Sequence, residues 1–155
     1  MSEPQATTPT AGVTPHLVCA GAASAIDFYV RAFGATEVRR LLGPDGSVVN
    51  ALLSINGSPV MLADEHPSRG NRSPRSLKGT PVTLHLGVPD VDAFVARAIR
   101  AGAKLVMPVA DMFWGDRYGI VEDPFGHEWS VATPLRGMTN AEMQQATTEF
   151  MKPNS

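Results

Sequence analysis

Two histidines set the chemical question. His16 lies in Val13-Thr14-Pro15-His16-Leu17 and His85 in Val82-Thr83-Leu84-His85-Leu86, so one pentapeptide recurs with a single substitution 69 positions on. Imidazole exchanges protons near neutral pH, and a facing pair can work as general base and acid. With Glu128 or water completing the shell, the same pair can bind a metal ion. The plain alternative is that each ring satisfies local hydrogen bonds in a half-polar cavity. Side chains on an extended chain alternate between faces, so His16 points the way Thr14 does and His85 the way Thr83 does. Glu128 shares the parity of Ser130, whereas His127 and Trp129 point oppositely. A carboxylate there either joins the histidines, where burial can shift its proton affinity, or sits at the rim paired with a surface arginine.

The elements that position these residues repeat as well. Gly34 in AFGA answers Gly102 in RAGA, and Gly57 in SINGSPVML answers Gly126 in DPFGHEWSV. Val13 to Cys19 reads as a strand. Ser24 and Asp27 form a potential capping box for a helix carrying Ile26, Tyr29, Val30 and Phe33, stopped by Gly34. Thr36 to Leu42, Val48 to Ile55 and Val60 to Ala63 read as three strands, joined by the turn Gly43-Pro44-Asp45-Gly46 and the hairpin signal Asn56-Gly57. The second half repeats that order: strand Val82 to Val88, a helix capped by Asp90 and ended by Gly102, then strands Lys104 to Val109, Tyr118 to Glu122 and Glu128 to Ala132. Asp123-Pro124-Phe125-Gly126 is the last tight turn.

Each half is too short to bury a core alone, so the two pack as one domain over 13–134. Repeat one covers 13–65 and repeat two 81–134. Between them the linker 66–80 holds Arg69, Arg72, Arg75 and Lys78 with no acid. It steers an anionic substrate, closes as a lid, or is simply solvated. The leader 1–12, rich in Thr, Ala and Pro, reads as disordered and lacks the pattern of a signal peptide. In the tail 135–155, Thr139 to Glu142 is a second capping box, opening a short helix with Met143, Ala146, Phe150 and Met151 on one face.

Composition narrows the function. The 155 residues carry a net charge of −2, which offers no electrostatic case for nucleic acid or an anionic membrane. No apolar run approaches the roughly 20 residues that span a bilayer, and the expected compartment is the cytoplasm. The single cysteine, Cys19, excludes an internal disulfide and reads as a core residue. Phe113-Trp114-Gly115-Asp116-Arg117-Tyr118 is an aromatic and charged cluster. Trp114 stacking a flat ligand and Arg117 meeting an anionic group form one reading. The other gives Trp114 and Tyr118 to an interface or minor core, and Asp116 and Arg117 to a surface ion pair.

FYVRAFGA in the first half and EDPFGHEW in the second, within a duplicated strand-helix-three-strand unit, resemble the vicinal oxygen chelate superfamily. That group includes glyoxalase I, bleomycin-resistance proteins, extradiol dioxygenases and fosfomycin-resistance enzymes. MLADE, FWGDRYG and DPFGHEWS are similar to its PhnB-like branch. The resemblance implies an α+β fold of two βαβββ modules forming a cupped, barrel-like mixed sheet, in a homodimer. It also implies metal-ligand positions, one on the first and one on the last strand of each repeat. Carried over by spacing, these are Thr14, Met61, Thr83 and Ser130, none of them a usual ligand type for a catalytic divalent ion. The expectation is therefore a small-molecule-binding protein without the usual metal ligands and without a cofactor. Thr14, Met61, Thr83, Trp114, Arg117 and Ser130 line its cup. The alternative is a lyase, isomerase or dioxygenase-type enzyme using His16, His85 and Glu128, with or without a divalent metal.

Overall fold

The computed structural model describes residues 9–153. Residues 1–8 of the expected leader lie outside the described residues. Two modules follow one another. The first runs β1 (His16–Cys19), α1 (Ala22–Phe33), β2 (Thr36–Leu42), β3 (Val48–Ile55) and β4 (Ser58–Asp64). The second runs β5 (Thr83–Gly87), α3 (Val91–Ala101), β6 (Lys104–Asp111), β7 (Asp116–Glu122) and β8 (Glu128–Pro134). Between them stands the one-turn helix α2 (Pro74–Leu77), and α4 (Asn140–Phe150) follows the second module.

Each module folds into a four-stranded mixed sheet, ordered β1-β4-β3-β2 and β5-β8-β7-β6. The first and last strands of each module pair in parallel, and the remaining pairs are antiparallel. Register makes the repeat exact. His16 lies beside Met61 and His85 beside Ser130, so both members of each pair are offset by the same interval as the pentapeptides. The architecture is α+β, two βαβββ modules and a short C-terminal helix, as the spacing and the resemblance imply.

Alternation decides which face of each sheet meets a helix. Leu17 and Cys19 of β1, Leu62 of β4, Leu86 of β5, and Trp129 and Val131 of β8 all belong to one buried cluster spanning both modules. α1 and α3 meet inside it, with Phe33 stacked on Phe94 at a centroid separation of 5.0 Å. The hub of the junction is Asp123, 2% exposed. Its carboxylate accepts from Tyr29 Oη at 2.5 Å, Trp129 Nε1 at 2.9 Å, and the backbone N–H groups of Phe125 and His127 at 2.9 and 3.1 Å. A buried carboxylate without a cation survives only when its lone pairs are filled in this way.

Two local expectations are revised. α1 does not begin at a Ser24 capping box; it begins at Ala22, after Gly21 with φ of 98°. Its first N–H donates to Asp64 Oδ1 at 2.7 Å, a partner 42 residues away that no local pattern reveals. The linker also carries more structure than a plain connection. Pro67–Arg69 forms a 3-10 turn, and fully buried Ser73 caps α2 by accepting from Ser76 N. Glu65 ties the segment down, accepting from Ser76 Oγ at 2.6 Å, Ser73 Oγ at 3.1 Å and Ser73 N at 3.2 Å. Arg75 lies over the Phe125 ring and donates to the Pro124 carbonyl. The Thr139–Glu142 capping box forms as expected. None of α4's described residues is buried, but Phe150 stacks on Phe113 at 4.6 Å.

Candidate functional site

The face of the second sheet turned away from α3 presents three rows across β5, β8 and β7. Pairing gives Thr83, Glu128 and Glu122 in one row, His85, Ser130 and Ile120 in the next, and Gly87, Ala132 and Tyr118 in the third. The rows are chemically connected. His85 Nδ1 and Ser130 Oγ lie 2.8 Å apart. Thr83 Oγ1 donates to Glu128 Oε1 at 3.2 Å. Tyr118 stacks on the His85 ring at 6.2 Å.

With Nδ1 engaged by Ser130, the Nε2 of His85 is the atom left to meet a ligand. If Ser130 donates to Nδ1, Nε2 carries the proton and acts as a donor; the other tautomer makes Nε2 an acceptor or base. His85 and Thr83 both line a cleft of about 320 Å³. Its opposite wall comes from repeat one, through Val13, Pro15 and the β3–β4 hairpin residues Ile55, Ser58, Pro59 and Val60. The cleft thus lies between the repeats, within the size range of small-ligand pockets.

An aromatic series extends from this site. Tyr118 meets Trp114 edge-on at 5.1 Å, Trp114 meets Phe113 at 5.0 Å, and Phe113 reaches Phe150 of α4. Trp114 Nε1 donates to Asp116 Oδ2 at 3.0 Å.

A sequence profile of the Glyoxalase/Bleomycin resistance protein/Dioxygenase superfamily matches residues 13–131. The chain belongs to that superfamily. One similar protein is an uncharacterized Mycobacterium bovis protein, Mb0911c, 55% identical over 137 residues that cover 86% of this chain and 90% of the relative. The crystal structure of the Arabidopsis thaliana At5g48480 product shares 32% identity and a TM-score of 0.64, covering 80% of this chain and 99% of that one. TioX from Micromonospora sp. ML1 shares 30% identity and a TM-score of 0.62, covering 80% and 100%.

Membership makes the metal positions a question of fit. Thr14, Met61, Thr83 and Ser130 offer three hydroxyls and a thioether. The Ser130 hydroxyl is taken up by His85 and that of Thr83 by Glu128. These donors do not fit a catalytic divalent ion. Among the described residues, no group of three or more His, Cys, Asp or Glu is gathered where it could hold one.

The sequence candidates separate into distinct places. His85, Ser130, Thr83 and Glu128 come together, and Trp114 joins them through Tyr118. His16 and Met61 are neighbours on the first sheet. Because the helix-bearing faces share one core, the face carrying His16 and the face carrying His85 both turn away from it. His16 lines a different pocket from His85, so one chain does not assemble the facing pair of histidines on opposite walls of one cup.

Thr14, half-buried just before β1, has the backbone of its neighbour Pro15 in use: the Pro15 carbonyl accepts from Met61 N at 2.8 Å. Arg117 departs from the anion-binding expectation. Its guanidinium donates to Asp92 at 2.6 and 3.0 Å and to Asp111 at 2.8 Å, and Asp92 is held below its ordinary value chiefly by that hydrogen bond. Nor is Asp116 its partner; Asp116 serves Trp114. Asp64 and Glu65 act structurally. Cys19, fully buried, has its thiol pushed up to about 12 by burial first and by Asp123 next.

Sequence reasoning missed the placing of Tyr118 over His85. Its parity was legible, but only the β7–β8 register brings the two rings together. It also missed Pro15 and Leu84, which line both the cleft and the neighbouring pocket and divide them.

Proposed function

We propose that this protein binds a small organic molecule in the cleft between its repeats. The reading rests on one observation: the cleft of about 320 Å³ walled by both repeats, into which His85 and Thr83 reach with Ser130 and Glu128 behind them. His85 Nε2 and the Thr83–Glu128 pair orient the ligand's polar group, while Val13, Pro15 and Pro59 meet its apolar part. Tyr118 and Trp114 extend an aromatic surface toward a flat ligand. Placement in the PhnB-like branch, a cytoplasmic location and pairing with a second copy complete the proposal. Pairing is supported by the two outward-turned sheet faces and by α4, whose Phe150 and Met151 are 63% and 71% exposed. Among the described residues no helix is long and apolar enough to cross a membrane.

The test is a thermal-shift screen of small aromatic and heteroaromatic compounds, repeated on His85→Ala and Ser130→Ala. A ligand that binds only the folded chain raises the melting temperature by mass action. Hits that lose their shift in both variants support the reading; hits indifferent to both variants, or a barren screen, count against it. Sedimentation velocity tests the pairing.

The contact between His85 Nδ1 and Ser130 Oγ also supports a catalytic reading. Ser130 fixes the tautomer, and His85 Nε2 then moves a proton on the bound ligand in a lyase- or isomerase-type step. His16 is not placed to complete that step within one chain, since it lines another pocket. Turnover of a hit, lost in His85→Ala and showing a pH dependence that Ser130→Ala displaces, would favour this second reading over simple sequestration.

A further inference from the structure

The linker does more than join the repeats. Together with β1 and the entry to β5 it encloses a second pocket of about 330 Å³, separated from the cleft by Pro15 and Leu84. Its walls are mainly apolar: Leu17 and Val18 from repeat one, Leu77 from α2, and Val82 with Leu84 from repeat two. Leu77 and Val82 are 57% and 59% exposed, so apolar surface is left open on both sides of the cavity. The polar lining residues are His16, Arg72, Thr80 and His127.

His127 is already committed, because its Nε2–H donates to the Val18 carbonyl at 2.9 Å; a carbonyl can only accept. Arg72 is exposed, and among the described residues no hydrogen bond or ion pair engages it. No acid lines the pocket, and none occurs in the whole segment 66–80. The segment is not a loose loop, because Glu65 ties its start and Pro74 packs against Gly126.

We infer that this linker pocket is a second binding site, for a small amphipathic carboxylate whose apolar body lies between Leu77, Val82 and Leu84 and whose charged end meets Arg72. The guanidinium fork suits a carboxylate, and among the described residues no acid pairs with this cation beside the apolar cavity. His16 stands on the same lining and contributes a donor to the same head group. The inference is independent of the cleft reading, since the two sites share only a partition.

The experiment compares octanoate with octanol and octylamine, matched in chain length, by NMR titration of the full-length protein. Saturable octanoate binding is expected, with octylamine excluded. Arg72→Gln weakens octanoate binding about tenfold, the scale of one charge-assisted hydrogen bond, and Leu77→Asp removes it. Both positions are exposed, so the variants keep the wild-type melting temperature. His85→Ala and Ser130→Ala leave octanoate binding unchanged while altering cleft ligands, which keeps failure of one site distinct from failure of the other. Octanol binding as tightly as octanoate, indifference to Arg72→Gln, or dependence on His85 would each overturn the proposal.

Discussion

Asp64 and Thr133 hold the same position in the two repeats and do the same job with different chemistry. Asp64 Oδ1 accepts from Ala22 N at 2.7 Å to start α1, and Thr133 Oγ1 accepts from Val91 N at 2.9 Å to start α3. Each lies at the end of its module's last strand, so each module satisfies its helix's first N–H from the far edge of its own sequence, with Asp90 adding a local cap on Ala93 N in the second. The carboxylate does one thing more, accepting from Val48 N at 2.8 Å, whereas the hydroxyl donates onward to the Val88 carbonyl at 2.8 Å.

Removing either cap should therefore destabilise the fold, unequally. Thr133→Ala is expected to cost about 1 kcal/mol, the usual loss for a helix cap. Asp64→Ala strands two backbone donors, at Ala22 and Val48, and should cost about 2–3 kcal/mol. Urea titrations of both variants check this; equal losses would mean the Val48 contact contributes nothing.

Gly126 is constrained twice, by φ of 90° and by Pro74, whose Cβ would lie 2.8 Å from an added Cβ. Gly57 has φ of 85° but open space around it. Gly57→Ala should thus cost about 1 kcal/mol from backbone strain alone. Gly126→Ala should cost more and should also displace α2. Melting temperatures of the two variants separate strain from contact, and identical losses would remove Pro74 from the account.

Glu65 is held below its ordinary value first by the Ser76 hydroxyl and then by the Ser73 N–H. A lowered folded value means that this stabilisation is present above the unfolded value, near about 4.3, and disappears as pH falls through the folded one. Amide exchange across 66–80 should accelerate in that acid range before the core opens. At neutral pH, Glu65→Gln should expose Arg69, Arg72 and Lys78 to trypsin. Unchanged cleavage would show that the linker is anchored elsewhere.

At the alkaline end the sign reverses. The Tyr29 hydroxyl is raised well above 10.0 by burial and then by Asp123, and the Cys19 thiol rises from 9.0 to about 12. Groups with raised folded values stabilise fully below their unfolded values and lose that contribution as pH climbs toward the folded ones. Stability should fall from about pH 9 upward, and Tyr29→Phe with Cys19→Ala should show lower stability but a flatter decline. Native Cys19 should resist thiol reagents near neutrality and react once the chain is unfolded. A parallel decline in wild type and variant would contradict this.

Much of the architecture is written locally. The pentapeptide containing His16 and His85, the glycines at 34 and 102, and the Asp90 and Thr139 caps depend on neighbours a few residues away. Element order and repeat interval can therefore be read directly from residue type and spacing. Strand alternation also determines that His85 shares a face with Thr83, and Glu128 with Ser130. What alternation cannot supply is which strand lies beside which. The pairing of β5 with β8 makes His85 and Ser130 partners, and the β7 register sets Tyr118 over them.

Long-range partners decided the rest. Asp64 replaced Ser24 as the start of α1, Asp92 and Asp111 claimed Arg117, and Glu65 turned a basic linker into a pocket wall. The shared core between α1 and α3 also sent the two histidine faces outward rather than toward one another. Side-chain hydrogen bonds and burial depend on distances across the fold, and residue spacing along the chain carries no information about those distances until the sheets have formed.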